Sequence, residues 1–344
     1  MMRIFVILLA ITFISACEHK AEEFHHSTLK FGTIIDITLY DVDEKLAETA
    51  FASLDQDFEY MHAAWSPWEP GSLSRMNVLI PTGAKFSVGP ALLPLIQQSL
   101  ILSEKTDHLF NPAIGNLINL WQMHKHEDPD IQPPDSAKIK KLVEQNPQMS
   151  DLKFDGIKMY STNPAVQLSF GAFAKGFAID LSMDYLKKLG VKNAIINTGG
   201  DLKAIGSRGD RPWRIGIRHP RNEGVIAGIE VKGEEGIFTS GDYERFYMYE
   251  GKRYHHILDP RTGYPAQGTQ SVTVIHQDSG LADAAATALF IAGPDHWYKM
   301  AQNLGLKLVM LIDEQGRIHI SPQMKQRLEF KNEQETTLII SPPL

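Results

Sequence analysis

The chain of 344 residues contains a single cysteine, Cys17. A lone cysteine excludes an intramolecular disulfide and a zinc site built from several thiolates. An excess of basic residues is also lacking, since 34 Lys and Arg stand against 41 Asp and Glu for a formal charge of −7. This balance excludes a strongly basic nucleic-acid-binding protein. With 43% hydrophobic and 22% charged residues, the composition is globular and excludes intrinsic disorder for most of the chain.

The amino end lacks a hydrophobic run long enough to cross a membrane. Residues 4–14 form a predominantly apolar segment behind Arg3, whereas a membrane-spanning helix needs about 20 apolar residues. The segment instead has the length of the hydrophobic region of an export signal. It ends in Ile14-Ser-Ala-Cys17, which resembles the bacterial lipobox, where the cysteine is acylated and the preceding peptide is removed.

The lipobox resemblance divides the chain into three segments. We expect a signal peptide over residues 1–16, a polar tether over 17–27 that begins at lipidated Cys17, and one domain over 28–344. Each buried methylene of an acyl chain contributes about 0.8 kcal/mol, so more than one chain would hold the protein on a membrane. The domain would then belong to the bacterial cell envelope and face the periplasm or the exterior. The alternative is an ordinary signal peptide cut nearby, with Cys17 incidental.

The rest of the chain shows both helical and strand patterns. Residues 29–40 alternate between apolar and polar side chains, which predicts a strand. Apolar residues from Leu46 to Met61 recur at spacings of three and four, which predicts an amphipathic helix. Further helices are expected over 173–189, 281–291 and 295–304, and the short strands between Trp213 and Val274 indicate an antiparallel sheet. We therefore predict a single compact α+β domain.

A short alanine-rich segment carries the sharpest chemical pattern. Asp283 and Thr287 are four residues apart, so a helix places both on one face. Carboxylate and hydroxyl oxygens suit Mg²⁺, and the alanines between them permit close approach of another backbone. The alternative is structural, with an aspartate favoured by the dipole of a first helical turn and a threonine bonded back to a carbonyl.

Lys175 lies in the segment Gly171-Ala-Phe-Ala-Lys-Gly176 at a predicted helix start. Free amides at a helix start attract phosphate, and the lysine adds a positive point charge. The segment is not a Walker A loop, because Phe177 follows the glycine. A helix start flanked by glycines explains the pattern equally well.

His256 belongs to the polar segment His255-His-Ile-Leu-Asp-Pro-Arg-Thr-Gly263. A histidine beside aspartate, arginine and threonine can serve as a general base that its neighbours orient. The alternative is a β-turn with solvated histidines.

In their order along the chain, these motifs resemble those of the ApbE family, the FAD:protein FMN transferases. The segments that carry the resemblance are Phe31-Gly-Thr33, Trp65-Ser-Pro67, Ser72-Leu-Ser-Arg-Met-Asn77, Thr106-Asp107, Leu117-Ile-Asn-Leu-Trp121, Ala174-Lys-Gly176, Gly199-Gly-Asp201, Thr239-Ser-Gly241, His256 to Gly263 and Asp283 to Thr287. The resemblance implies a T-fold-related α+β domain with an antiparallel sheet and packed helices. It also implies a Mg²⁺-dependent enzyme that moves FMN from FAD to a Ser or Thr hydroxyl of an acceptor protein and releases AMP.

The resemblance further implies roles for individual residues. Asp283 and Thr287 would bind Mg²⁺ together with the backbone oxygen of Ala172, and His256 would take the proton from the acceptor hydroxyl. Six residues would line the FAD site: Phe31, Ser72, Leu73, Ser74, Asp107 and Lys175. The acceptor would be a flavinylated protein such as a redox-pump subunit or an FMN-binding domain, and no nucleic acid is expected as a partner.

Two other functions are compatible with the same residues. In a Mg²⁺-dependent FAD pyrophosphatase, water would replace the acceptor hydroxyl, and FMN and AMP would be released. A non-catalytic lipoprotein would bind FAD and leave it unchanged. The motifs alone do not separate the transferase from the hydrolase, since the same metal and histidine serve both nucleophiles.

Overall fold

The computed structural model describes residues 21–123, 127–128, 130–231, 233–331 and 337–344. The predicted signal peptide and Cys17 lie outside the described residues. Within these ranges, no helix combines the length and the apolar character needed to cross a bilayer.

The order of the elements mixes helices and strands along the whole chain. The helices are α1 (Glu44–Trp65), α2 (Ser72–Leu79), α3 (Leu93–Lys105), α4 (Gly115–Trp121), α5 (Ser136–Glu144), α6 (Ala174–Lys188), α7 (Ser279–Asn303) and α8 (Pro322–Arg327). The strands up to the middle of the chain are β1 (Glu23–Lys30), β2 (Thr33–Tyr40), β3 (Phe86–Ser87), β4 (Leu152–Asp155), β5 (Lys158–Ser161), β6 (Asn193–Thr198), β7 (Asp201–Ile205), β8 (Trp213–Arg218) and β9 (Val225–Val231). The later strands are β10 (Glu235–Gly241), β11 (Phe246–Tyr249), β12 (Lys252–His255), β13 (Thr269–His276), β14 (Leu308–Asp313), β15 (Ile318–Ile320), β16 (Leu328–Phe330) and β17 (Leu338–Ile340).

A large sheet forms the centre of the fold. Among the described residues it has nine strands in the order β1-β2-β6-β7-β10-β13-β14-β15-β17. Neighbouring strands are antiparallel except for the last pair, β15 and β17, which is parallel. The predicted antiparallel pairing is therefore confirmed, but the strands of the predicted segment divide among three sheets. Strands β10 and β13 join the large sheet, β8 and β9 belong to the small sheet β16-β9-β8, and β11 pairs with β12.

Both faces of this sheet are covered, because its buried side chains alternate between two cores. In β10, Phe238 packs with helices α1, α3, α6 and α7, whereas the adjacent Ile237 packs with the small sheet β16-β9-β8. In β14, Leu311 likewise packs in the core beneath the helices, and the adjacent Met310 packs in the core beneath the small sheet. This two-residue period is the one expected when both faces of a strand are buried. The result is a layer of helices, the large sheet and a second small sheet.

The first strand of the domain differs from the prediction. Residues 29–40 form the end of one strand and all of the next, since Lys30 pairs with Thr33 around a two-residue turn at Phe31 and Gly32. Both turn residues have positive φ angles, 55° and 72°, as a type I′ hairpin turn requires. The predicted tether is also shorter than expected, because β1 begins at Glu23 and pairs with β2 along its whole length.

Helix α7 carries the predicted alanine-rich segment and the predicted break. The Asp278 carboxylate caps it by accepting from the backbone N–H of Leu281 at 2.8 Å. The backbone leaves the helical conformation at Gly293, with φ 73° and ψ 179°, and Pro294 follows. The expected separation into helices 281–291 and 295–304 is thus present as a kink within one element.

Candidate active site

The candidate site is built where the start of α6 crosses the first turns of α7. Gly176 lies at this crossing, and a Cβ on it would be 2.2 Å from the Ser279 carbonyl oxygen and 2.9 Å from the Cβ of Asp283. Only glycine fits at this separation. The close approach lets the backbone N–H of Gly176 donate to Oδ2 of Asp283 at 3.0 Å. The alanines of α7 are buried against the neighbouring elements, as the sequence pattern predicted.

Asp283 is a buried carboxylate with little compensation. Burial raises its pKa to about 7, and the negative charge of Asp201 acts in the same direction. Lys175 and the Gly176 N–H lower this pKa but do not offset the loss of hydration. A carboxylate in this state gains stability from any further positive charge that reaches it. Asp283 is therefore a suitable ligand for a cation.

Lys175 connects the two carboxylates of the site. Its ammonium group forms an ion pair with Asp201, and Oδ1 of Asp201 accepts from the backbone N–H of Thr239 at 2.9 Å. Burial alone would lower the pKa of Lys175, but the charges of Asp201 and Asp283 raise it. Lys175 thus stays protonated, and it is held by a strand of the central sheet.

Thr287 lies one helical turn beyond Asp283 and faces β10. Its Oγ1 is 3.1 Å from Oγ of Ser240, so the two hydroxyls belong to one polar group. The expected carbonyl ligand, that of Ala172, precedes α6. The amide four residues on, that of Gly176, donates to Asp283. The carboxylate of Asp283 and the hydroxyls of Thr287 and Ser240 therefore lie on the first turns of α7 and the adjoining strand β10, and the expected contribution of the Ala172 carbonyl stays a prediction.

A side chain from α2 holds the segment that leads to Ala172. The buried Asn77 amide donates to the Leu168 carbonyl at 2.9 Å, and its oxygen accepts from the Leu168 N–H at 2.8 Å. This two-way pairing fixes the backbone just before the loop at residues 169–173. It gives a structural role to the last residue of the motif that begins at Ser72.

The two adjacent histidines have different roles in the structure. His255 is buried, with Nε2 2.9 Å from the Ala266 carbonyl and its ring against Phe290. For His256, in contrast, Nδ1 is buried and has no hydrogen-bond partner among the described residues. Burial first, and then the charges of Arg245, His255 and Lys175, place the pKa of His256 well below its usual value. His256 is neutral at neutral pH, as a general base must be.

The turn after His256 is rigid. Arg261 donates to the Asp259 carboxylate through Nε at 2.9 Å and NH2 at 2.7 Å. The indole N–H of Trp121 donates to the Gly263 carbonyl at 2.8 Å. The β-turn of the alternative interpretation is therefore present, since the N–H groups of Thr262 and Gly263 donate to the Asp259 carbonyl, but the solvated histidine expected with it is not, because His255 is buried.

Phe31 lies at the tip of the first hairpin in a conformation that is rare for a bulky residue. Its φ of 55° is held by the stacking of its ring on Trp65, with centroids 6.1 Å apart, and by edge contacts with Phe58 and His62. Thr33, just beyond the turn, lies against Gly199, two residues before Asp201. The hairpin tip therefore lies beside the loop that carries the partner of Lys175.

The other expected FAD contacts are distributed unevenly. Ser72 is partly accessible at the start of α2, and Ser74 receives the Gly71 N–H at 2.9 Å and so closes the first turn of the helix. Leu73 is completely buried, since the spacing of α2 turns it toward the core together with Met76. Its side chain therefore supports the helix from behind, and the expectation that Leu73 lines the FAD site stays a prediction that only its backbone could satisfy.

Asp107 faces a different part of the surface. It has a φ of 48° and lines a cavity of about 130 Å³ with Asn111, Pro260 and Arg261. Lys175, Asp283 and His256 do not line this cavity. Asp107 is thus brought beside the turn that follows His256 and is separate from the polar group on α7.

The sequence of the chain matches known proteins over most of its length. The sequence profile of the ApbE family matches residues 31–310. The chain belongs to the ApbE family. A FAD:protein FMN transferase of Rhodobacter capsulatus is 40% identical over 299 residues, which cover 87% of this chain and 57% of that protein. One of Klebsiella pneumoniae is 32% identical over 274 residues, covering 78% of this chain and 83% of that protein.

Solved structures of the ApbE family share the fold. The ApbE protein of Thermotoga maritima matches with a TM-score of 0.80 at 29% identity, covering 89% of this chain and 99% of that chain. The predicted ApbE-like α+β fold is confirmed. This chain spans just over half of the Rhodobacter capsulatus relative, and the two relatives named above are transferases.

Within this ApbE-family fold, three site residues carried no assigned role in the sequence. Asp201 pairs with Lys175, Ser240 pairs with Thr287, and Arg245 lies opposite His256. The motifs at 199–201 and 239–241 contain the first two, so their polar residues beside glycines were the available signal. Arg245 follows a motif by four residues, and its proximity to His256 depends on a strand pairing.

Proposed function

We propose that this protein is a Mg²⁺-dependent FAD:protein FMN transferase. It moves the FMN part of FAD to a Ser or Thr hydroxyl of an acceptor protein and releases AMP. The observation that carries the proposal is the position of Lys175, which pairs with Asp201 and directly precedes Gly176, the donor to the buried Asp283 at 3.0 Å; the charge of Lys175 also lowers the pKa of His256. A proton acceptor, a fixed positive charge and a cation-binding carboxylate therefore belong to one site, as phosphoryl transfer requires.

The oxygen atoms at the α6–α7 crossing fit a hard cation. Asp283 would bind it through its carboxylate, Thr287 through its hydroxyl and Ala172 through its carbonyl. Among the described residues no group of three or more His, Cys, Asp or Glu side chains surrounds a common point, so the site differs from the carboxylate cages that favour Ca²⁺. A single carboxylate with neutral oxygens leaves coordination positions for phosphate, as Mg²⁺ sites commonly do. When bound, the ion would neutralise charge on the pyrophosphate of FAD.

The residues of the chain supply the remaining chemistry. His256 has a low pKa and a side chain that is only partly buried, so it can accept the proton of the attacking hydroxyl. Lys175 is protonated and pinned by Asp201, so it opposes the negative charge that develops on phosphate without having to move. Phe31 lies at the tip of its hairpin, beside the loop that precedes Asp201, and its ring would contact FAD. Ser72, Ser74 and Asp107 would also contact FAD.

Several further parts of this proposal concern the location and the partner. The lipobox resemblance supports acylation at Cys17 and attachment to a membrane of the cell envelope, with the domain facing the periplasm or the exterior. The acceptor would be a protein such as a redox-pump subunit or an FMN-binding domain. Both parts rest on the sequence, because Cys17 lies outside the described residues.

Incubation of the purified full chain with FAD, Mg²⁺ and a candidate FMN-binding domain tests the activity. Mass spectrometry of the acceptor should show one added FMN, and the supernatant should contain AMP. FMN released in the absence of any acceptor would identify a hydrolase instead. FAD that stays unchanged under all these conditions would identify a binding protein and would overturn the proposal.

Two variants and one control assign the roles. Asp283→Ala should abolish transfer at all practical Mg²⁺ concentrations, and His256→Ala should slow it while flavin fluorescence still reports FAD binding. Asp184→Asn is the matched control, because Asp184 is an exposed carboxylate on α6 that pairs with Lys187, away from the site. Full activity of Asp283→Ala at low Mg²⁺ would refute the metal assignment.

A further inference from the structure

Arg245 differs from the arginines around it because no described residue pairs with its side chain. Arg221 makes a two-point ion pair with Asp242, at 2.7 and 2.6 Å, and Arg261 does the same with Asp259. Arg253 lies over the Phe246 ring at 4.0 Å. The Arg245 side chain is solvent-accessible and has no hydrogen bond or ion pair with any residue that the structure describes. Its guanidinium is therefore available to a ligand.

The pairing of β11 with β12 places Arg245 directly beside His256. Phe246 is paired with His255, and the ladder continues by one step, since the His256 N–H donates to the Arg245 carbonyl at 3.1 Å. Residues that are opposite each other in a ladder share a face of the ribbon. Arg245 and His256 thus lie on one face, and His255 lies on the other, against Phe290.

The same face of the ribbon packs against Trp121 at the end of helix α4. Tyr247 and Tyr254 are the next opposed pair on this face, and their rings stack at 5.5 Å. Tyr254 packs in turn on Trp121, with ring centroids 5.7 Å apart. Because the ribbon is held by these aromatic contacts, Arg245 and His256 keep a fixed relative position.

The charge around His256 favours an anion. Arg245, Lys175 and His255 are the titratable or charged groups that act on His256. Both permanent charges among them are positive. Two carboxylates offset part of this charge: Asp201 pairs with Lys175, and Glu244, whose pKa burial raises, interacts with Arg218, Lys175 and Arg245. An arginine with free donors beside a neutral base matches the planar two-point recognition of a phosphate.

We propose that Arg245 is a phosphate-contacting residue of the transfer reaction and binds the non-bridging oxygens of the FMN-side phosphate of FAD. The proposal rests on the transferase function proposed above. In the step concerned, the acceptor hydroxyl oxygen forms a bond to the FMN-side phosphorus and its proton passes to His256. The bond from this phosphorus to the bridging oxygen breaks, and AMP leaves with that oxygen and its electron pair. Arg245 stabilises the charge on the phosphoryl group during this exchange.

Steady-state kinetics of two Arg245 variants test the proposal. Arg245→Gln should lower kcat on the order of 100-fold, the usual effect of removing one donor to a transition-state anion. The change in KM for FAD should be much smaller, because the flavin and adenine contacts stay. Arg245→Lys should restore part of kcat, since it returns the charge but not the two-point geometry. Arg214→Gln is the matched control, because Arg214 is an exposed arginine on β8 whose partner is Glu329.

The pH profile supplies a readout that a purely structural role would not change. Removal of the positive charge of Arg245 should raise the pKa of His256, so the acidic limb of kcat/KM should move to higher pH in Arg245→Gln but not in Arg245→Lys. Unchanged kcat and an unchanged limb in Arg245→Gln would overturn the proposal. Lack of FMN transfer by the wild-type chain would instead refute the transferase function. A thermal unfolding midpoint equal to that of Arg214→Gln confirms that a kinetic loss is not a folding defect.

Discussion

Substitution of Gly176 by alanine tests whether the α6–α7 crossing builds the site. Alanine in place of glycine inside a helix normally stabilises a protein by about 1 kcal/mol. Here the new Cβ would be 2.2 Å from the Ser279 carbonyl oxygen, whereas C···O contacts are normally about 3.3 Å or longer. The atoms that the new Cβ would meet are the Ser279 carbonyl group and the Cβ of Asp283, and neither can rotate away. Helices α6 and α7 must therefore separate by about 1 Å to relieve the overlap.

The separation should affect both stability and activity. It costs packing energy and weakens the Gly176 hydrogen bond to Asp283, so we expect a net destabilisation of about 3 kcal/mol after the gain in helix propensity. For a chain of this size, the unfolding midpoint should fall by about 6 °C. A displacement of this order beside reacting groups should lower kcat on the order of 100-fold.

Differential scanning fluorimetry and FMN transfer to the acceptor measure the two effects. The matched control is Gly89→Ala, because Gly89 lies in an exposed turn without a positive φ, and a Cβ added there would have no atom within 4 Å. The control should behave as wild type. A Gly176→Ala protein that is more stable than wild type and fully active would show that helix propensity dominates and that the crossing is not tightly packed.

Three further predictions concern single side chains. Burial raises the pKa of Asp283 to about 7, so the folded metal-free protein prefers the protonated carboxyl. As pH rises from about 4 to about 7, wild type should therefore lose stability relative to Asp283→Asn. Thermal unfolding in EDTA measures this difference, and an equal pH dependence of the two proteins would contradict the prediction. His255→Ala should lose about 2 kcal/mol in urea unfolding, because the buried ring loses its packing on Phe290 and the Ala266 carbonyl loses one of its two partners. His256→Ala should keep wild-type stability, and the opposite order would refute the roles assigned to the pair. Lys203→Met should cost about 3 kcal/mol in the same assay, since Lys203 is buried between Asp180 and Glu234, and a loss no greater than that of the half-exposed Lys187→Met would count against it.

The sequence predicts those parts of the fold that have a regular period. The stripe from Leu46 to Met61 and the alternation in the central strands follow from burial of one face or two, so they are visible without a structure. The first hairpin was missed because a phenylalanine at a position that needs positive φ is disfavoured. The tip is stabilised by ring contacts with Trp65, which is 34 residues away in the chain, and such contacts leave no local signal.

The site residues also divide into those that a local spacing predicts and those that only contacts between distant segments bring together. Asp283 and Thr287 belong to one helix, so their common face follows from their spacing. The pairing of Lys175 with Asp201 joins a helix to a strand, and the proximity of Arg245 to His256 needs the register of β11 with β12. The burial of the Leu73 side chain was also not expected from the motif, because it depends on which way α2 turns this residue against the core.

The early start of β1 sets the reach of the enzyme. Six peptide units separate Cys17 from Glu23, and a fully extended chain of that length covers about 20 Å. If Cys17 carries the proposed lipid, the start of β1 is held within this distance of the bilayer surface. The enzyme would then serve acceptors that present their hydroxyl close to the same membrane, and a longer spacer inserted before Glu23 should extend its range to acceptors farther away.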